Sequence, residues 1–340
     1  MFWAVAFLGA TLLATCVSSR SAAAEASRQA FVYYAVPAQK QYVDNQDDRS
    51  RAKGHNPFGN YAFVPQPTQE SESGPFAGDE ALVTYTLYAD AGLHARAGTG
   101  TLACHYSASR DSLCDAAYQL RDGTLLGVGE FSFDASGFTF AITGGTGNYR
   151  GVSGTLAVAG DQRGSRAAGP LIVQKQRLDF AVRPAASEAP RRIVLYSEAL
   201  QEQFIDNRDD EARGDVNNPI GYTNAKAAAV VSEHEHGPFA GDEAFYTFKL
   251  FRNAKLTESA GSAAFTCEYL FRRDAFCFAS YQLSGGSLTG AGTFDFNAKR
   301  FTIAITGGTG TVRAAGGEML ASASNRKTQR LVFTLNRSGR

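Results

Sequence analysis

Residues 131–147 read Phe-Ser-Phe-Asp-Ala-Ser-Gly-Phe-Thr-Phe-Ala-Ile-Thr-Gly-Gly-Thr-Gly, and this stretch decides the fold class. Every second residue of the segments 131–133 and 138–142 is large and apolar, which is the period of a β-strand with one buried face. Four residues typical of turns separate the two segments, so the pattern predicts a β-hairpin. The glycines that follow predict a tight turn of left-handed residues, since no helix follows that would complete a phosphate-binding loop.

The same stretch occurs twice in the chain. Residues 294–310 repeat the hairpin and its glycine turn at a shift of 163, and Gly-Pro-Phe-Ala-Gly-Asp-Glu occurs at 74–80 and again at 237–243. The last loop of the second copy is about ten residues shorter. Short strands with glycine-rich breaks are typical of a barrel or a sandwich. The 340 residues therefore predict two tandem all-β domains, each a copy of the other.

The repeat also predicts the domain boundaries. Residues 31–182 form the first predicted domain, residues 193–337 the second, and the segment 183–192 has the composition of a linker. Residues 195–204 have helical propensity, but their counterpart 31–37 is rich in β-formers. Both segments are therefore predicted to be the first strand of their domain or its approach.

The N-terminus has the pattern of an export signal. Residues 2–17 are apolar and Ala22-Ala23-Ala24 offers a cleavage site, so residues 1–24 are predicted to be a signal peptide. The mature protein is then secreted, into the extracellular space or the periplasm, with an uncleaved anchor or lipidation at Cys16 as the alternatives. No later stretch has the roughly 18 continuous apolar residues of a spanning helix, so no stable membrane span is predicted.

Four cysteines remain after the signal segment, two in each copy. Cys104 and Cys114 flank a polar tip and face each other across a predicted hairpin, at the separation that a disulfide requires. Cys267 and Cys277 repeat this arrangement, so one disulfide is predicted in each copy. A zinc site is disfavoured because there is no Cys-x-x-Cys pair, and neither a metal nor a cofactor is predicted.

Charge and histidine content disfavour two kinds of function. The chain has 33 basic and 33 acidic residues, and this net charge of zero leaves no basic stripe for nucleic acid. None of the five histidines recurs at the repeat shift, which disfavours a duplicated histidine site. Asp79 and Glu80 are neighbours on a predicted strand, so their carboxylates should point to opposite faces and not share one site.

The glycine turn and its surroundings carry a resemblance to a known family. Residues 142–154, Ile-Thr-Gly-Gly-Thr-Gly-Asn-Tyr-Arg-Gly-Val-Ser-Gly, resemble the signature near the last strands of the allene oxide cyclase and dirigent barrel proteins, and 305–310 repeat it. The resemblance implies an antiparallel eight-stranded barrel with a hydrophobic cavity in each copy. It also implies a homo-oligomer, commonly a trimer, and a small apolar or aromatic molecule as the partner.

The chain departs from that family at the position of a proposed catalytic acid. Allene oxide cyclases carry Tyr-Glu-x-Asn on the first strand, and the matching residues here are Tyr42-Val43-Asp44-Asn45. Ile205 occupies the position of Val43 in the second copy. Because an aliphatic side chain cannot transfer a proton, the cyclase reaction itself is disfavoured.

A repeated Asp-Asn stretch is the densest group of polar residues in the chain. Three interpretations of this stretch are open. It forms a structured loop held by an Asp–Arg pair, a calcium site whose ligand spacing differs from that of an EF-hand, or the rim of a ligand-binding or catalytic pocket. Its residues in the first copy are Asp44, Asn45, Asp47, Asp48, Arg51 and Asn56, and in the second copy Asp206, Asn207, Asp209, Asp210, Arg213 and Asn218.

Three functions are compatible with these patterns. The leading hypothesis is an exported barrel protein that binds a small hydrophobic molecule and is non-enzymatic or weakly catalytic. The second is an isomerase or lyase of the dirigent or cyclase type that guides ring closure of a hydrophobic substrate. The third is an extracellular structural or self-associating protein.

Overall fold

The structure is a computed structural model that describes residues 28–43, 75, 78–107, 111–161, 171–185, 189–205, 240–271, 274–295, 297–323 and 328–336. The predicted signal peptide and the repeated Asp-Asn stretches lie outside these residues. In the part that is described, no helix is long and apolar enough to cross a membrane.

Two closed antiparallel barrels of eight strands each make up the fold, which confirms the predicted fold class. Neighbouring strands of the chain pair in order, and the last strand of each barrel pairs with the first. The first barrel consists of β1 Gln29–Val43, β2 Glu80–Tyr88, β3 Arg96–Tyr106, β4 Asp111–Leu120, β5 Gly123–Ser132, β6 Gly137–Gly145, β7 Ser153–Gly160 and β8 Gln176–Arg183. The second consists of β9 Arg191–Ile205, β10 Glu243–Phe251, β11 Ser259–Tyr269, β12 Asp274–Leu283, β13 Gly286–Asp295, β14 Arg300–Gly308, β15 Gly316–Ala323 and β16 Thr328–Asn336.

The hairpin predicted from residues 131–147 is the pair β5 and β6. Phe140 and Ile142 are buried while their neighbours Thr139 and Ala141 are exposed, as a strand with one buried face requires. Gly147 has a φ of +59° in the turn that follows, so the left-handed glycine is confirmed. The segment with helical propensity, 195–204, lies within the strand β9 and confirms the β prediction.

One disulfide links two neighbouring strands in each barrel, as predicted. Cys104 on β3 lies directly opposite Cys114 on β4, and Cys267 on β11 lies opposite Cys277 on β12. All four side chains are buried inside their barrels. We call this end of each barrel the disulfide end, and the end with the β4–β5 or β12–β13 turn the opposite end.

Aromatic side chains pack against each other inside the first barrel. The ring of Tyr118 meets that of Phe180 edge-on with 5.2 Å between centroids, and the rings of Phe131 and Phe138 lie 4.9 Å apart. Such rings bury a large apolar surface and favour edge-to-face contacts. The described interior of the first barrel is therefore a packed aromatic core.

The loop before β8 explains a difference between the two interiors. Its short 3₁₀ helix Leu171–Val173 covers Tyr85, whose hydroxyl donates a 2.7 Å hydrogen bond to the carbonyl of Ile172. The second copy has a shorter loop, and Phe248 stands at the position of Tyr85. The loop and the hydroxyl that it satisfies are thus both lost from the second barrel, and Phe248 is only half-buried.

The two barrels pack against each other through their outer faces. Outward-facing residues of β2 to β5 meet residues of the second barrel in one buried apolar cluster: Leu82, Ala103, Ala117, Leu126, Leu270, Phe276, Ala291 and Ala304. Because burying apolar surface is the main favourable term in association, this cluster holds the barrels together. We call it the inter-barrel cluster.

Polar contacts fix the same interface at its edges. Glu318 of β15 accepts a 3.0 Å hydrogen bond from the backbone amide of Gly147 and forms a 3.2 Å ion pair with Arg150. Asn336 donates a 3.0 Å hydrogen bond to the carbonyl of Arg150. The predicted glycine turn is thus a docking point for the second barrel.

Candidate functional site

The Asp-Asn stretches follow β1 and β9 in the sequence and lie outside the described residues. The three alternatives for them, a structured loop, a calcium site and a ligand rim, therefore stay predictions. Among the described residues, no group of histidine, cysteine, aspartate or glutamate is arranged to hold a metal ion.

Asp79 and Glu80 face different environments, as predicted for neighbours on a strand. Asp79 is fully buried and accepts a hydrogen bond from the hydroxyl of Tyr42. Glu80 points away from it and lies 3.3 Å from Nδ1 of His105 on the neighbouring strand. The two carboxylates therefore do not form one acid–base pair.

A cleft of about 460 Å³ lies between the two barrels. Its walls are predominantly the outer faces of β4, β5 and β6 on one side and of β11 to β14 on the other, so neither barrel forms it alone. The residues that line it are Asp115, Leu126, Gly127, Val128, Thr143, Ala264, Thr266, Phe276, Phe278, Ala279, Ser280, Thr289, Gly290, Ala291 and Thr306.

The cleft is apolar apart from hydroxyl groups and one carboxyl. The rings of Phe276 and Phe278 lie 5.1 Å apart, and Phe278 is 43% exposed, which is unusual for so large an apolar side chain. Among the described residues of the lining, Asp115 alone is ionisable. Burial raises the pKa of its carboxyl to about 6, although the charge of His105 opposes this.

A second group of titratable residues lies across the interface near Asp115. Nδ1 of His105 lies 3.3 Å from Glu80 of the same barrel, and Nε2 lies 3.6 Å from Glu268 of the other barrel. Glu80 and Glu268 are each only 9% exposed. His105 and Glu268 occupy the same position in the two copies, so the interface brings equivalent sites face to face.

The pKa values of Glu268, Glu243 and His105 are all raised. Burial raises the pKa of Glu268 well above its usual range, and the charge of Glu80 adds to the effect. Burial and the charge of Glu80 also raise the pKa of Glu243. The hydrogen bond to Glu80 raises the pKa of His105, while burial opposes it. The folded protein therefore holds protons more tightly here than the unfolded chain does.

We expect the protein to lose stability as the pH rises from the ordinary carboxyl range past the ordinary pKa of histidine. A group whose pKa is raised on folding stabilises the fold at low pH, and this contribution is lost as the pH rises through its folded pKa. The midpoint of thermal unfolding, measured across this range, should fall. The variant Glu268→Gln should flatten the curve, whereas the exposed control Glu202→Gln should leave it unchanged. A midpoint that rises with pH would contradict this.

The cleft was not predicted from the sequence, although a signal for it is present. Adjacent apolar residues occur at 82–83, 102–103, 116–117 and 125–126, where an alternating strand has one apolar and one polar residue. Strands buried on both faces have this pattern. In each pair one residue enters the barrel core and the other enters the inter-barrel cluster.

Comparisons with known proteins assign no family to this chain. No known protein family matches the sequence, and no curated protein matches it either. Among solved structures, pyocyanin demethylase is 17% identical and covers 43% of this chain and 100% of its own, with a TM-score of 0.32. Two pterocarpan synthase dirigent proteins are each 14% identical, cover 47% and 48% of this chain and 96% and 89% of their own, and have TM-scores of 0.31 and 0.30. The eight-stranded barrels that the resemblance implied are present, while family membership stays a prediction.

Proposed function

We propose that the protein binds a small aromatic molecule in the cleft between its two barrels. The observation that carries this proposal is the cleft itself, an apolar space of about 460 Å³ that contains one carboxyl of raised pKa. Ligand sites are commonly clefts of about 300–1,000 Å³ at domain interfaces, with mostly apolar walls and a few polar groups. The cleft meets each of these criteria.

The walls indicate the chemistry of the ligand. Phe278, which is 43% exposed, offers aromatic surface for an aromatic ring, which favours offset or edge-to-face contacts. Asp115 changes its protonation state near pH 6, and a hydroxyl group on the ligand satisfies both states because it can donate as well as accept. An aromatic compound with one hydroxyl group, such as a phenol or naphthol, therefore fits best.

This proposal is a form of the leading hypothesis, with the ligand between the barrels instead of inside one. The packed aromatic core of the first barrel supports this location. Secretion of the mature chain and its assembly into a homo-oligomer are further parts of the proposal. The cyclase-type alternative depends on the Asp-Asn stretches, and the structural alternative predicts that the cleft binds nothing.

Blocking the cleft should abolish binding. Ala264 is an exposed alanine on β11 in the cleft wall, so Ala264→Trp fills the space without disturbing a core. We expect this variant to weaken the binding of 2-naphthol at least tenfold, measured by fluorescence titration. The control Ala157→Trp, at an exposed alanine on β7 away from the cleft lining, should bind as the unmodified protein does.

Two results would contradict the proposal. One is equal affinity in Ala264→Trp and Ala157→Trp, and the other is no binding of 2-naphthol or related aromatic alcohols by the unmodified protein. Native mass spectrometry of the protein from its source extends the test, because a copurified aromatic compound should be absent from Ala264→Trp.

A further inference from the structure

The second barrel has a separate cavity of about 180 Å³ at its opposite end. Apolar side chains of Ile193, Leu195, Ala260, Leu283 and Val312 form its wall. It shares no lining residue with the cleft between the barrels. The two spaces are therefore independent sites.

The first barrel shows why this cavity exists. The strand pairing shows which residues of the two barrels are equivalent. Tyr34 pairs with Tyr88 in the first barrel and Tyr196 pairs with Phe251 in the second. Because Phe251 is the repeat of Tyr88, Tyr196 is the repeat of Tyr34. By this register Ile193 stands where the first barrel has Phe31, and Leu195 stands where it has Tyr33. Val312, the last residue of a short 3₁₀ helix, stands where the first barrel has Tyr149.

In the first barrel these three aromatic residues fill the space. The ring of Phe31 lies 5.7 Å from that of Tyr33 and 6.1 Å from that of Tyr149. Protein interiors are close-packed, so replacing three large rings by aliphatic side chains leaves room unless neighbours move in. In the second barrel this space stays open and is the cavity.

The charge at the cavity mouth also differs between the copies. Arg191 and Arg252 line it, where the first barrel has Gln29 and Ala89. Ser284 and Gly285 stand at the positions of Arg121 and Asp122, so over these four positions the second copy has one cation more and one acid fewer than the first.

Neither arginine is neutralised by a carboxylate in the part of the chain that the structure describes. No acidic residue lines the cavity, and the described partner of the Arg252 guanidinium is the hydroxyl of Ser284 at 3.2 Å. A guanidinium donates two parallel hydrogen bonds to a carboxylate, and these charge-assisted bonds are among the strongest in proteins. The mouth is therefore suited to an anion.

We propose that this end of the second barrel binds a small carboxylic acid with an apolar body. The body occupies the cavity, and the carboxylate lies at the mouth between Arg191 and Arg252. The volume is below the range of drug-sized ligands, so the acid is about the size of benzoate. The first barrel cannot bind it, because its equivalent space is filled and its mouth lacks both arginines.

Benzoate is the probe for the test, with benzyl alcohol as its neutral analogue, both titrated calorimetrically into the intact protein. We expect benzoate to bind, benzyl alcohol to bind at least tenfold more weakly, and added salt to weaken the binding of benzoate. The variant Arg252→Gln should weaken the binding of benzoate at least tenfold. Val312→Tyr, which introduces the residue of the first barrel, should abolish binding.

Two matched variants locate the site. Tyr149→Val opens space in the first barrel without adding an arginine, so benzoate should still bind once. Ala264→Trp blocks the cleft and should leave benzoate affinity unchanged, which separates this proposal from the proposed function.

The proposal is wrong if benzoate does not bind the unmodified protein, if Arg252→Gln binds as tightly as before, or if Ala264→Trp abolishes binding. Should Val312→Tyr fail to fold, Arg252→Gln decides the matter alone, because Arg252 is exposed on the surface.

Discussion

Replacing Leu82 by aspartate is expected to separate the two barrels while each stays folded. Leu82 is fully buried, but its side chain lies in the inter-barrel cluster and not in the barrel interior. An unpaired charge buried at this position costs about 3–5 kcal/mol. The strand ladders and disulfides within each barrel do not involve this side chain, so the cost is relieved when the barrels move apart.

Small-angle X-ray scattering measures this outcome directly. The radius of gyration of Leu82→Asp should exceed that of the unmodified protein, while far-UV circular dichroism should be unchanged. Leu113→Asp is the matched control, since Leu113 is a leucine on the outer face of the same barrel that is 53% exposed. Separation should also abolish 2-naphthol binding, because the cleft needs both barrels. An unchanged radius for Leu82→Asp would show that the inter-barrel cluster does not hold the barrels together.

Removing one disulfide is expected to destabilise one barrel selectively. Each disulfide joins cysteines ten residues apart, and the chain-entropy model assigns a ring of this size about 3 kcal/mol. Because all four cysteines are buried, alanine is the appropriate replacement. For a domain of this length, 3 kcal/mol corresponds to a decrease of about 6–12 °C in the melting temperature.

The duplicated fold supplies the control for this experiment. The double variant Cys104→Ala/Cys114→Ala should lower the melting transition of the first barrel, and Cys267→Ala/Cys277→Ala that of the second. Differential scanning calorimetry should resolve two transitions in each variant, and hydrogen exchange should assign the earlier one to the barrel that lost its disulfide. Melting profiles that match the oxidised, unmodified protein would contradict the prediction.

The alternation of apolar residues was sufficient to predict which side chains of the β5–β6 hairpin enter the core. Phe140 and Ile142 lie in the core because a β-strand places alternate residues on one face, and this depends only on neighbours in the chain. The disulfides were predictable for the same reason, since Cys104 and Cys114 belong to one hairpin. Local geometry was thus fully readable from the sequence.

The interface between the barrels was not predictable in this way. Ala117 and Phe276 meet only after both barrels have closed and docked, and the adjacent apolar pairs mark a buried outer face of the first barrel without showing which face of the second barrel covers it. The absence of a repeated histidine disfavoured duplicated histidine sites. It did not reveal that His105 faces Glu268, because that contact joins the two copies and is not repeated within each.

The contact between His105 and Glu268 has a consequence for how such an interface evolves. When two identical subunits meet about a twofold axis, a residue on the axis faces its own copy, and every mutation there appears on both sides at once. Histidine would face histidine, or glutamate would face glutamate. Here the two positions belong to one gene but to different codons, so each has changed separately. Because both barrels belong to one chain, this pair of equivalent positions can hold a base on one barrel and an acid on the other.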